Sequence, residues 1–478
     1  MTQKKRIAII GAGPAGLTAA YILTKDGYPV DLFEASDTVG GMAKTISMWG
    51  QLVDLGPHRF FSSDPRVNRI WLDVLGQDYS MVSRLTRIYY KKTFFDYPLR
   101  AINALFGLGV IQSSICVLSY IYAKVFPVKD ESTFESWVTN RFGKRLFTIF
   151  FKSYSEKLWG ISCKELDADF AAQRIKKLSL YEAIKSAIFK SKTKKHKTLV
   201  DEFAYPHGGA GSIYNLMAKK IVEHGGQIHL NTPVQSVHPS IDGSAPILKL
   251  GGGKDLSFDH IISSMPITHL VDRIGAPSFI QDHAKALQFR NTILVYLQVD
   301  STSPFPDQWI YIHSAELKTG RITNFKNWVP SITQGHKETI LCLEYWCYDN
   351  DDMWEMDNDT LISLATKEIY KTALIAKNTV LAGEVIRVPK CYPVYATGYR
   401  IHLEPVEKYL SNQVGLSVIG RYGAFKYNNQ DHSILMGLLA AKNITQGEQN
   451  NLWDINTDYE YQESCRITAT GLSFEQPA

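Results

Sequence analysis

No two cysteines of this 478-residue chain stand at Cys-x-x-Cys spacing; Cys116, Cys163, Cys342, Cys347, Cys391 and Cys465 are scattered along it. That argues against a metal-ligand set and against a disulfide framework, so no metal site is expected. A strong charge bias is also missing: the formal net charge of +5 is too small to suggest nucleic acid as a partner. No separate apolar segment with a cleavage site precedes the first strand, because Lys4, Lys5 and Arg6 run straight into it. No signal peptide is therefore read, and a reducing, cytoplasmic setting is expected. Internal repeats are absent. What is present is ordinary for a globular protein, with 45% hydrophobic and 21% charged residues in a chain long enough for two or three domains.

Residues 6–10 form a short apolar run of the kind found in buried parallel strands. Gly11-Ala-Gly13-Pro-Ala15-Gly16 follows at once, then a helical stretch over 17–26 and a second strand over 30–33 that ends on Glu34. Each part suits a dinucleotide. Gly11 makes the tight turn, Gly13 lets the backbone approach a pyrophosphate, and Gly16 lets the helix pack closely on the strand. Ala15 lies in the same turn, and the helix N-terminus offers unpaired N–H groups to phosphate. Glu34, 18 residues after Gly16, stands where an acid bonds ribose hydroxyls. Val39-Gly40-Gly41 comes next and lets the chain pass tightly beside the pyrophosphate. Flavoproteins of the glutathione-reductase and amine-oxidase type carry such a glycine pair, so FAD is expected rather than NAD. Met42, where many of them have Arg or Leu, is a departure that leaves the cofactor class intact.

Farther along, Gly225 to Val234 reads as a helix end, a strand and a turn, with Val234 placed at the cofactor. Leu416-Ser-Val-Ile-Gly420-Arg421 reads as a buried strand before a helix over 433–444. The expected fold is α/β: a Rossmann-type FAD-binding domain in three segments, 1–99, 198–285 and 405–447. A helical insertion over 100–197 and an antiparallel β-sheet insertion over 286–404 interrupt it, and a polar tail, 448–478, is expected to dock loosely.

Four stretches carry a resemblance. They are Asp54-Leu-Gly56-Pro57-His58-Arg-Phe60; Tyr154-Ser-Glu-Lys157-Leu-Trp159-Gly160, continuing to Arg174; Leu287-Gln-Phe-Arg290; and Tyr392-Pro-Val-Tyr395 joined to Gly420-Arg421 and Lys426-Tyr427. In order and rough spacing they resemble the UDP-galactopyranose mutases, a branch of the amine-oxidase and protoporphyrinogen-oxidase-like flavoproteins. Phe203 to Gly209 departs from the mutase sequence, and both insertions are longer than in the bacterial galactose enzyme. The resemblance implies an isomerase that interconverts pyranose and furanose forms of a nucleotide sugar or related glycosyl phosphate in surface glycan biosynthesis. Reduced flavin N5 is then the nucleophile at the anomeric carbon, with no net redox change.

Such chemistry needs cationic charge for the leaving diphosphate and exclusion of water. The resemblance puts Arg290 and Arg174 at the diphosphate, since arginine pairs with phosphate at two points; the alternative for each is an ordinary salt bridge. It makes Tyr395 and Tyr427 hydroxyl donors, in a chain whose 25 tyrosines are otherwise packing residues. His58 follows Gly56-Pro57 in the flavin-facing stretch and is expected to orient the flavin or stabilise charge near N5. Trp159 either covers the sugar or packs. Arg421 is expected at an FAD phosphate, and Arg321 is a weaker substrate candidate.

Residues 101–123 contain no charged side chain, a length that could span a bilayer. A span would cut the helical insertion off from the domain it interrupts, and Asn103, Gln112, Ser113 and Ser114 dilute the run. A pair of buried helices is the plainer expectation. The sharper one adds Lys185, Lys190, Lys192, Lys194, Lys195 and Lys197 as a basic flank for peripheral membrane contact, which would suit a lipid-linked sugar. Two rivals to the mutase reading stand open: an FAD-dependent oxidase or desaturase on an amine, glycan or lipid-linked substrate, and an idle protein that merely keeps FAD. An oligomer is compatible with all three.

Overall fold

Ile7–Ile10 is apolar at every position because its strand is the middle one of a five-stranded parallel sheet covered on both faces. In a computed structural model, which describes residues 4–99, 101–170, 202–240, 243–377 and 379–455, this sheet runs Leu416–Val418, His260–Ser263, Ile7–Ile10, Val30–Phe33, Gln227–His229. Every pairing is parallel, and the strands come from three separated stretches of chain. The first helix, Pro14–Lys25, leaves the Gly-rich turn, and the helix Gln430–Thr445 lies against it. Close packing of the two rests on Gly437, where a Cβ would stand 2.3 Å from the Ala15 carbonyl oxygen.

A second, seven-stranded sheet stands apart from the first. Its order is Val380–Pro393, Phe289–Val299, Thr339–Cys347, Arg321–Asn324, Trp309–Ile312, Thr86–Tyr90, Thr93–Asp96. Two expectations change here. The strands at 86–96 belong to this sheet although they lie within the segment assigned to FAD, and the sheet is mixed, because Trp309–Ile312 pairs parallel with Thr86–Tyr90. Period-two alternation cannot reveal which strand is whose neighbour, so neither point was legible locally. Thr339–Cys347 is buried throughout because helix Asn358–Thr372 covers one face and an aromatic cluster around Trp309, Phe325 and Trp328 the other.

The helical insertion contributes Phe134–Phe142, opened by a Thr133–Ser136 capping box, and a helical run over 144–159. Residues 101–123 do form two helical segments, within Ala101–Val125 and broken at Gly109 (φ 76°, ψ 164°), but they are not buried: Phe106, Val110 and Ile111 are more than three-quarters exposed. The tail differs as well: Leu452 and Trp453 are buried against the cofactor domain, and Lys426 Nζ donates to the Trp453 and Ile455 carbonyls. Residues 456–478 of the tail, Arg174 and the lysine run 185–197 lie outside the described residues.

Candidate active site

A cavity of about 720 Å³ opens at the carboxyl ends of the parallel strands, roofed by the seven-stranded sheet. Of the residues singled out from sequence, Gly11, Gly13, Ala15, Glu34, Gly41, Met42, Pro57, His58, Val234, Gly420, Arg421 and Tyr427 line it. Arg321, the weaker candidate, lines it too.

One end is a dinucleotide cradle. A Cβ on Gly13 would meet no protein atom within 4 Å, so the first turn of the helix faces open space, and no side chain caps that terminus. Glu34 is held for a ligand: one oxygen accepts from Ala12 N at 2.7 Å, the other from Ser36 N and Oγ at 2.9 and 2.8 Å. Lone pairs remain for ribose hydroxyls. Gly41 passes so near the turn that its Cβ would stand 3.2 Å from Gly13 Cα, while Gly40 N donates to Ala12 O. Gly16 does not line the cavity; it holds the turn, since a Cβ there would sit 2.0 Å from Gly11 O. Gly56 likewise stands behind the wall, its α-carbon facing the Glu344 carboxylate.

The other end is tyrosine and arginine. The Arg421 guanidinium lies over Tyr427 and Tyr392, 4.4 and 4.9 Å from their ring centres, and donates to the Asn428 and Cys391 carbonyls at 2.7 and 2.9 Å. Its charge and that of Arg321 act on His58. Arg321 makes a bidentate ion pair with buried Glu344 at 2.6 and 2.5 Å. His58 Nδ1 is buried with no hydrogen-bond partner, and burial, followed by the two arginine charges, lowers its pKa to about 3. The imidazole is therefore neutral at pH 7.

Three expected contacts are not at the cavity wall. Arg290 is buried, donating to the Trp346 carbonyl at 2.6 Å and to Leu158 O, with Asp351 at 3.3 Å and the Tyr348 ring beneath it. It ties the helical run to the sheet instead of meeting a diphosphate. Trp159 is fully buried behind Tyr427, edge-on at 5.8 Å, so it packs and does not cover a substrate. Tyr395 supports the loop that carries Tyr427. Conversely, Tyr392, Tyr311, Arg59, Arg273 and Lys390 line the cavity without having been chosen. Tyr392 stood in a quoted motif, and it, not Tyr395, lines the cavity.

The residues fit FAD. The open space at Gly13, the tethered Glu34 and the glycine pair would hold its adenosine diphosphate half, and Pro57 and His58 would meet the ring system.

Comparison with known proteins agrees. Residues 14–381 match the flavin containing amine oxidoreductases. Among curated relatives, 4,4'-diapophytoene desaturase of Methylomonas sp is 23% identical over 68% of this chain and 66% of its own length. A probable UDP-galactopyranose mutase of Klebsiella pneumoniae is 30% identical over 35% of this chain and 44% of its own. Each match spans less than two thirds of the relative. Among solved structures, reduced UDP-galactopyranose mutase superposes with a TM-score of 0.82 at 22% identity, covering 94% of this chain and 95% of that one. Wild-type putrescine oxidase reaches 0.62 at 17% identity, over 93% and 99%. With more than half of its length matched and a dinucleotide cradle in place, the chain belongs to the flavin containing amine oxidoreductase family, and its cofactor is FAD.

Proposed function

We propose that this enzyme is a mutase-like isomerase, interconverting ring forms of a nucleotide sugar without net redox change. The observation that carries the reading is the charge of the cavity wall. Among the described residues lining it, Arg273, Arg321, Lys390 and Arg421 face a single carboxylate, Glu34. A cationic surplus remains after Glu344 is set against Arg321. That surplus suits a second diphosphate beside the cofactor's own and opposes a cationic amine substrate.

When bound and reduced, the flavin supplies the nucleophile for the anomeric carbon. The chain's own residues do the rest. Arg421, fixed between two tyrosine rings and two carbonyls, offers a preorganised guanidinium to a leaving diphosphate. Tyr427 and Tyr392 add hydroxyls on the same wall, and Trp309 and Tyr311 keep it dry. Neutral His58 orients by hydrogen bond, not by charge.

Net redox chemistry of the desaturase kind is the second reading, favoured by the 372-residue match to the Methylomonas enzyme. One assay separates them: the purified protein, reduced with dithionite, is given UDP-, GDP- and TDP-sugars, and products are resolved by ion exchange with borohydride trapping. A new isomer that requires reduced flavin supports the mutase. No isomer and no trapped adduct, with bleaching of the oxidised protein by an unsaturated-lipid precursor, overturns it.

A further inference from the structure

The helix Phe106–Val125 has the length and apolar character of a membrane span, yet it lies along the protein's flank. Most of the polar residues that interrupt its sequence point inward, Ser114 being the exposed exception. Asn103 Oδ1 accepts from Asp96 N at 2.8 Å, Gln112 Oε1 from Arg145 Nε at 3.0 Å, and Ser119 Oγ from Arg145 N at 3.0 Å. Glycines press it onto the body: a Cβ on Gly107 would strike the Phe95 ring at 2.5 Å, and one on Gly143 would strike Tyr120 N at 2.6 Å. Apart from Ser114 and the terminal Lys124, the outward face is aliphatic and aromatic, with Phe106 85%, Val110 83%, Ile111 76%, Leu118 66% and Tyr122 66% exposed. Single exposed apolar residues are ordinary; a contiguous helical strip of them is not.

Charge identifies what covers this strip. Between Asp96 and Asp130 the sequence has no carboxylate and three cations, Arg100, Lys124 and Lys129. From Lys185 to Lys197, within the insertion delimited from sequence, there are six lysines and no acid. A second copy of the chain would set the exposed Lys124 and Lys129 against their own kind, whereas an anionic lipid surface complements them. Tyr120, Tyr122 and Lys124 also gather at one end of the helix, with the Lys124 ammonium 5.5 Å from the Tyr120 ring centre. Tyrosine and lysine together are what the boundary between lipid and water favours.

We infer that the outer face of helix Ala101–Val125 seats this enzyme on an anionic membrane surface, the helix lying in the interface plane and not crossing it. Its bonded inward face keeps it on the body, so it inserts only side chains.

The test uses the full FAD-loaded chain and sedimentation with vesicles of phosphatidylcholine, alone or mixed with phosphatidylglycerol. The protein is expected to pellet with the mixed vesicles at low salt and less at high salt. Val110→Ser with Leu118→Ser, both surface positions remote from the cavity, should weaken that partitioning at least about tenfold while leaving flavin content and melting temperature unchanged. In a separate variant, Leu118→Trp should show fluorescence quenching by brominated lipid. Failure of the wild type to pellet with either vesicle overturns the inference. So does equal pelleting of the double serine variant, which would leave electrostatics alone. A soluble dimer that the serines dissociate, without lipid binding, overturns it in favour of a contact between copies. None of these readouts depends on turnover, so they stand or fall apart from the mutase reading.

Discussion

The Tyr395 hydroxyl accepts the backbone N–H of Tyr427 at 2.8 Å, so a buried tyrosine positions the loop whose own tyrosine lines the cavity. Two residues that looked alike in sequence thus divide the work between support and contact. Tyr395→Phe takes an acceptor from a partly buried N–H and should cost about 1–3 kcal/mol, read as a lower melting temperature with loss of flavin retention. Tyr427→Phe keeps the backbone bond and should leave stability within about 0.5 kcal/mol while lowering turnover. Equal stability losses in the two variants would contradict the division.

The Gly-rich turn separates in the same way. Gly13→Ala places a methyl in space that no protein atom occupies, so the apoprotein should melt as the wild type does. The methyl then competes with the FAD diphosphate, and FAD retention in gel filtration should fall by at least about tenfold. Gly16→Ala drives a methyl to 2.0 Å from Gly11 O and should destabilise the apoprotein itself. An apo melting temperature that falls equally for both would mean that Gly13 also serves packing.

Those glycines were legible because their reasons are local: strand, turn and helix lie within thirty residues of one another in the chain. Arg290 was misread for the opposite reason. Its best acceptor is the carbonyl of Trp346, 56 residues away, and no local pattern announces a buried guanidinium tied to a neighbouring strand. Tyr392 is not singled out by sequence because its place on the cavity wall depends on the packing of Tyr427 and Arg421 against it, both about thirty residues or more away. The exposure of residues 101–123 is not legible in composition, which does not say that Asn103 and Gln112 point at the body while Ser114 and most apolar side chains face out.

Arg321 and Glu344 form the buried ion pair of the substrate end, their side chains 16% and 2% exposed. Removing one partner strands the other's charge. Arg321→Met should therefore cost about 3–5 kcal/mol, and adding Glu344→Gln should recover most of it. Activity should not follow stability: the double variant is expected to fold, hold FAD and still turn over poorly, because the guanidinium facing the cavity is gone. A double variant with wild-type turnover would remove Arg321 from the site.

Asp54, two residues before Gly56, is buried with Thr45 Oγ1 at 2.6 Å, Tyr205 Oη at 2.7 Å and Ala210 N at 3.1 Å, and burial raises its carboxyl pKa from 3.8 to about 7 against those three hydrogen bonds. A folded-state value above the unfolded one means that Asp54's contribution to stability is fully present below pH 3.8 and is lost as pH rises through 7. His58 works in the opposite sense: lowered to about 3, its contribution is present above 6.5 and lost as pH falls toward 3. Between pH 4 and 6.5 the two oppose each other, so the wild type's melting temperature should be nearly flat as far as these groups decide it. Asp54→Asn removes one of them. Relative to the wild type, it should gain stability between pH 4 and 7 with a slope of at most about 1.4 kcal/mol per pH unit, levelling off above 7. Melting temperatures of both proteins across pH 4 to 8 supply the difference curve, from which unrelated groups cancel. A flat difference through that window would place Asp54 in its ordinary ionised state, with the cluster of Thr45, Tyr205 and Ala210 stabilising the carboxylate strongly enough to overcome burial.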